Sequence, residues 1–140
     1  DFENIVGIKE ASGNIGVIET LVEGRKKGFK IYSGDDGTSM ISNLLGADGC
    51  ISVACNIIPK EFAKMMELSL AGKAAEAREI HYKYRHLMDL LFVESNPIPV
   101  KAALAAMGMM KEEYRLPLCK MANENKALLL AEMKKLGLIK

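Results

Sequence analysis

Ile5 to Lys9, Lys30 to Gly34 and Gly49 to Ala54 are three short apolar runs, and each gives way at once to the start of a helix. Runs of this kind read as strands buried on both faces. Strands joined through helices this tightly have to lie parallel, with right-handed crossovers. A parallel sheet must then be covered on both faces or closed into a barrel. Three strands can do neither well, and the first of them follows almost directly on Asp1 and Phe2. The expectation is a fragment of a larger α/β architecture.

Between the first two strands, Ile15, Ile18 and Val22 recur at helical spacing, with Val17 and Leu21 on the adjoining stripe. Asn14 stands where it can cap that helix, and Arg25, Lys26 and Lys27 before Gly28 suit its C-terminal end. Met40, Ile41, Leu44 and Leu45 make a shorter helix ended by Gly46. After Ala54 the pattern is helical only. Pro59 suits the first turn of a helix to about Leu70, ended by Gly72. A second helix, from about Lys73 to Phe92, carries Ala77, Ile80, Tyr84, Leu87 and Leu91 on one stripe. Asn96-Pro97-Ile98-Pro99 is a stiff break. A helix from Val100 to Met107, a connector from Met109 to Leu118 and a last helix from Ala122 to Leu136 follow. The natural division is residues 1–58, the strand–helix part, and 59–140, the helical part.

Composition excludes some partners. With 19 basic and 18 acidic residues interspersed, the net charge is +1, which gives no reason to expect nucleic acid or an anionic membrane. No apolar run is long enough to span a bilayer, and no basic-then-apolar leader opens the chain. Cys50, Cys55 and Cys119 fit no zinc spacing and read as reduced, mostly buried thiols of a cytoplasmic protein. His81 and His86 lie five apart, off the spacing that shares a metal on a helix, and read as surface or packing residues. The nine methionines read as core and interface filler. SGDDG lacks the lysine of a phosphate-binding loop.

In strand–helix folds, ligands meet the chain at the C-terminal ends of the strands. Those ends are Lys9, the Ser33-Gly34-Asp35-Asp36 run, and Ser52 to Asn56. Lys9 is the one residue among them able to form a covalent adduct with a carbonyl. An amine attacks only when neutral, so such a lysine has to be desolvated or set beside another cation. Position alone leaves Lys9 open to two readings, a solvated strand-end charge or a nucleophile. Gly34 either admits a ligand close to the backbone or supplies a positive φ for a turn. Asp35 and Asp36 suit helix capping, and Asn56 a turn that its amide bonds locally.

The stretches GIKEASGN, IYSGDD, GADGCISVACN, FVESNPIPVKAAL and RLPL occur in that order, and with them the whole chain resembles the C-terminal half of the dihydrodipicolinate synthase family. The resemblance implies strands six to eight of a (β/α)8 TIM barrel with their helices, then a C-terminal helical region. It implies a lyase in which Lys9 forms a Schiff base with pyruvate. The derived enamine then attacks aspartate 4-semialdehyde, in the diaminopimelate route to lysine. Gly34 and Ile51 match positions lining the pyruvate pocket, and Asp35 and Asp36 fall near the semialdehyde. No metal or organic cofactor is implied, and the complete protein would be a cytoplasmic homotetramer.

A full barrel of this kind needs about 250 residues. The family's tyrosine and threonine proton relay, its carboxylate-binding arginine and its lysine-feedback site belong to the half not seen here. Tyr32, Tyr82, Tyr84 and Tyr114 stand in none of the matching motifs. The chain alone is therefore expected to be inactive and to self-associate. Two alternatives stand beside the synthase reading: another pyruvate aldolase of the N-acetylneuraminate lyase superfamily, and a non-catalytic, self-associating fragment.

Overall fold

The computed structural model describes residues 2–140, which form two compact units: residues 2–52 with 60–82, and 53–59 with 83–140. The first holds β1 (Gly7–Glu10), α1 (Ile15–Glu23), β2 (Lys30–Ser33), α2 (Ser39–Leu44) and β3 (Gly49–Cys50), with most of α3 (Pro59–Leu70). α4 (Ala74–Leu90) begins in it. The three strands make one parallel sheet in the order β1-β2-β3, in which Lys9 pairs with Tyr32 and Glu10 with Ser33. The α/β class and the parallel pairing are as the apolar runs imply.

Local chemistry explains most of the boundaries. The side-chain oxygen of Asn14 accepts the Gly16 N–H at 2.9 Å and starts α1. α1 ends at Glu23, short of the basic cluster, so Arg25 to Lys27 do not serve its C-terminus. Arg25 instead pairs with Asp48 across the sheet. Gly46, at φ +111°, turns the chain from α2 into β3, a backbone state that side chains resist. Asp48 ties β2 to that turn: its N–H donates to Ile31 O at 2.7 Å, and its carboxylate accepts from Ile31 N–H, Lys30 Nζ and Arg25 Nη1. Ile18, Ile31 and Ala47 form the buried centre, with Leu21, Val22 and Phe29 packed on it.

Two expectations about the strands are corrected. Ile5, Val6 and Ile8 are not buried: their exposures are 57%, 67% and 38%. Ile5 and Val6 precede β1, which starts at Gly7 and not at Ile5, and Ile8 lies on a strand with a partner on one side only. The third strand does not run to Ala54 but ends at Cys50. Ile51 N–H still donates to Ser33 O at 2.8 Å, and β2 itself ends at Ser33. The chain then forms a short 3₁₀ turn at Ala54–Asn56.

The second unit holds that turn, the end of α4, α5 (Ile98–Ala106) and α6 (Asn123–Lys135). α5 starts earlier than the proline break suggests, because Pro99 falls in its first turn, where a missing N–H leaves nothing unpaired. The Glu94 carboxylate accepts from Ala122 N–H at 2.9 Å and Asn125 Nδ2 at 2.8 Å, fixing the approach to α6. Leu129 and Met133, one turn apart on α6, are fully buried, as are Leu87 and Leu91 from the predicted stripe.

Candidate functional site

The C-terminal ends of β1, β2 and β3 meet at Lys9, Gly34 and Ile51. Gly34 N–H donates to Glu10 O at 2.6 Å, and Ile51 N–H donates to Ser33 O at 2.8 Å, so each residue lies beside its neighbour's strand end. Lys9 is exposed on the edge strand, and its butyl stem lies directly on Gly34. A Cβ built on Gly34 would sit 2.6 Å from Lys9 Cε, 3.1 Å from Lys9 Cγ and 2.6 Å from Ala11 Cβ. Non-bonded carbons essentially never stand 2.6 Å apart, and 3.1 Å is already a tight contact. Gly34 is not among the positive-φ glycines, so the turn reading of this residue fails. Its lack of a side chain makes room for Lys9.

Around this point the acidic run is well ordered. Asp35 Oδ1 accepts from Thr38 N–H at 2.8 Å and Thr38 Oγ1 at 2.7 Å, which orders the turn before α2, but the cap position itself is Thr38 and carries no side-chain cap bond, so Asp35 does not cap the helix as expected. The same carboxylate also faces Gly13 in the β1–α1 loop, 3.6 Å from where a Cβ would stand. Ser33 is buried, and its hydroxyl donates to Asp35 O while accepting Asp35 N–H. Asp36 is wholly buried, with the Cys50 thiol 3.8 Å from its Oδ1. Burial, then the neighbouring Asp36 charge, pushes the Cys50 thiol up to about 12. Cys50 is thus a protonated packing residue at neutral pH.

The other candidates fall outside this cluster. Asn56 Nδ2 donates to Val53 O at 2.9 Å, a local turn bond, but without left-handed backbone. His81 is buried with its ring edge-on to Tyr82, a packing role. Cys50 and Cys55 are half-buried and Cys119 is exposed, so "mostly buried" overstates the thiols; none of the three forms a disulfide. One cleft lies away from Lys9, between the segment before β1 and the end of α1, where it meets Phe2, Val6, Leu21 and Phe29. It holds none of the three strand-end residues.

The model of the dihydrodipicolinate synthetase family matches residues 1–136. The chain belongs to that family. It is 47% identical over 139 residues to the 4-hydroxy-tetrahydrodipicolinate synthase of Chlorobaculum parvum, covering 99% of this chain and 47% of that protein. The crystal structure of dihydrodipicolinate synthase from Aquifex aeolicus superposes with a TM-score of 0.95 at 42% identity, over 99% of this chain and 47% of the other. A chloride-inhibited dihydrodipicolinate synthase from Acinetobacter baumannii, complexed with pyruvate, superposes with a TM-score of 0.95 at 40% identity, over 99% and 48%. The chain spans about half the length of the curated relatives it matches. Within it, the two stretches that carry the family resemblance at the first strand ends, GIKEASGN and IYSGDD, pack on one another through Lys9, Ala11 and Gly34.

Ala11 is the neighbour that sequence reasoning missed. Its methyl group and the Lys9 stem together fill the space over Gly34. The alternation within KEA puts positions 9 and 11 on one side of an extended chain, which was the available signal.

Proposed function

We propose that this chain is the C-terminal half of a 4-hydroxy-tetrahydrodipicolinate synthase, with Lys9 as the amine that condenses with pyruvate. What supports it is the near-complete match at 47% identity to such an enzyme, in a chain whose Lys9, Gly34 and Ile51 share the C-terminal edge of one parallel sheet. In this reading β1, β2 and β3 are strands six to eight of a (β/α)8 barrel. Residues 1–58 are barrel, and 59–140 are its last helix and the helical region after it.

Lys9 Nζ attacks the ketone carbon of pyruvate, and water leaves as the imine forms. Loss of a methyl proton sends an electron pair onto the protonated imine and gives the enamine. The enamine carbon then attacks the aldehyde carbon of aspartate 4-semialdehyde, and the product closes to a six-membered ring as Lys9 is released. The iminium is its own electron sink, so no metal or organic cofactor takes part. Gly34 leaves the lysine stem room to reach the carbonyl, and the half-exposed Ile51 offers the pocket an apolar wall. Of the two acids expected near the semialdehyde, the half-buried Asp35 is the one that can face it, since Asp36 is wholly buried. The complete enzyme is a cytoplasmic homo-oligomer, in this reading a homotetramer.

The chain by itself turns nothing over. Lys9 sits on an edge strand, exposed, without the walls that would desolvate it. The acid–base partners expected from the other half contribute about 10² to 10⁴ in rate. The experiment is a condensation assay with pyruvate and aspartate 4-semialdehyde, on the purified chain and again after adding the separately made N-terminal half. No turnover alone and recovery on mixing is the expected pair of results. Turnover by the chain alone would overturn the inactivity, and no recovery by a correctly folded mixture would overturn the half-barrel reading.

A further inference from the structure

In the second unit, Lys101 on α5 and the connector residues Lys111, Glu113, Tyr114, Arg115 and Leu118 line one cleft of about 590 Å³. Three cations and one carboxylate give it a net charge of +2, against +1 for the whole chain. The charge is therefore concentrated here and is not a sample of the average surface. Nearby acids are engaged elsewhere: Glu112 holds Lys126, and Glu94 holds Ala122 and Asn125. Among the described residues, the ion pairs leave out Lys101, Lys111 and Arg115. Lys101 Nζ stands 5.1 Å over the Tyr114 ring, which holds the side chain beside a residue of the same lining. Tyr114 is itself fixed, its hydroxyl within 3.4 Å of Ile98 O and Glu112 Oε1.

We infer that this cleft binds a small dianion, of the phosphate or dicarboxylate class. Like charges gathered around one opening repel each other, and a dianion relieves that repulsion while gaining charge-assisted hydrogen bonds. Arg115 offers a planar fork for two oxygens, and the two lysines add point charges. Leu118 adds an apolar side chain to the lining, against which a short carbon skeleton can lie.

The test is a backbone amide NMR titration of the full chain with inorganic phosphate, above its second ionisation, at constant ionic strength. Succinate forms a second arm and acetate a third. Saturable shifts confined to Lys101 and residues 110–118, with phosphate or succinate, are expected, and the tighter of the two names the class. The double variant Lys111→Gln/Arg115→Gln should bind at least about tenfold more weakly, since each lost charge-assisted contact accounts for about that much. Lys111→Arg/Arg115→Lys should retain binding. Shifts that never saturate, shifts that acetate reproduces in full, or unchanged binding by the neutral variant would overturn the site.

Discussion

Replacing Gly34 by alanine separates a steric demand at the strand ends from a merely tolerant position. The added Cβ would stand 2.6 Å from both Lys9 Cε and Ala11 Cβ. Carbon atoms in contact need about 3.5 Å, so each overlap has to be relieved by about 1 Å. The lysine stem can rotate away. Ala11 has no such freedom, because its Cβ moves only with the backbone, and that backbone is held next door by the Gly34 N–H to Glu10 O bond. Overpacking of this kind costs about 1–3 kcal/mol, a fraction of the 5–15 kcal/mol or so that holds a domain together. The fold therefore survives while Lys9 is displaced. A displacement of about 1 Å at a reacting group lowers rates about 10²-fold. In the complete barrel, formed from both halves, the variant should show a modestly lower melting temperature and pyruvate imine formation slowed about a hundredfold. Imine formation is followed by single-turnover borohydride quenching. A variant that melts and reacts like the parent would refute the reasoning, because it would mean that the close contact at Gly34 constrains nothing.

Three further outcomes follow from the same geometry. Asp48 lies below its ordinary carboxyl value, first through its hydrogen bond to the Lys30 ammonium; its stabilising contribution is complete above that ordinary value and disappears as pH falls through the lower folded one. Asp48→Asn should therefore lower stability at neutral pH and flatten the acid limb of a pH–stability curve, and an unchanged limb would exclude the role. Cys50, held at about 12, should alkylate at pH 8 at least about a hundredfold more slowly than exposed Cys119, and equal rates in a mass-resolved iodoacetamide time course would contradict its burial. Glu94→Ala removes the acceptor of Ala122 N–H and Asn125 Nδ2, and should destabilise the second unit by about 1–2 kcal/mol in urea titration.

Much of this architecture was legible because its causes are local. The Asn14 cap, the Pro59 start of α3 and the Gly46 turn each act within a few residues, and each stands where the sequence suggests. The parallel order was legible because strand–helix alternation permits little else. Ile5 and Val6 misled because an apolar run reports a preference for burial, and whether burial occurs depends on what packs against it, which the run itself does not tell. Arg25 misled for a related reason: its partner, Asp48, is 23 residues away. Glu94 and Glu112 likewise find partners 31 and 14 residues on, which no periodicity announces. At the site, the first two strand ends were placed from topology alone, while the third strand stops at Cys50, short of the Ala54 expected. The reason for Gly34 was not legible, because a contact with Lys9 and Ala11 exists only once β1 and β2 are side by side.

The central claim is that Lys9 is the amine that takes up pyruvate. Its most direct measurement is borohydride reduction of the complete, two-half protein in the presence of pyruvate, followed by peptide mass spectrometry. The account predicts a single three-carbon adduct on Lys9, lost in Lys9→Arg because a guanidinium stays protonated at neutral pH. An adduct on another lysine, or one spread over surface amines and unchanged in that variant, would contradict it.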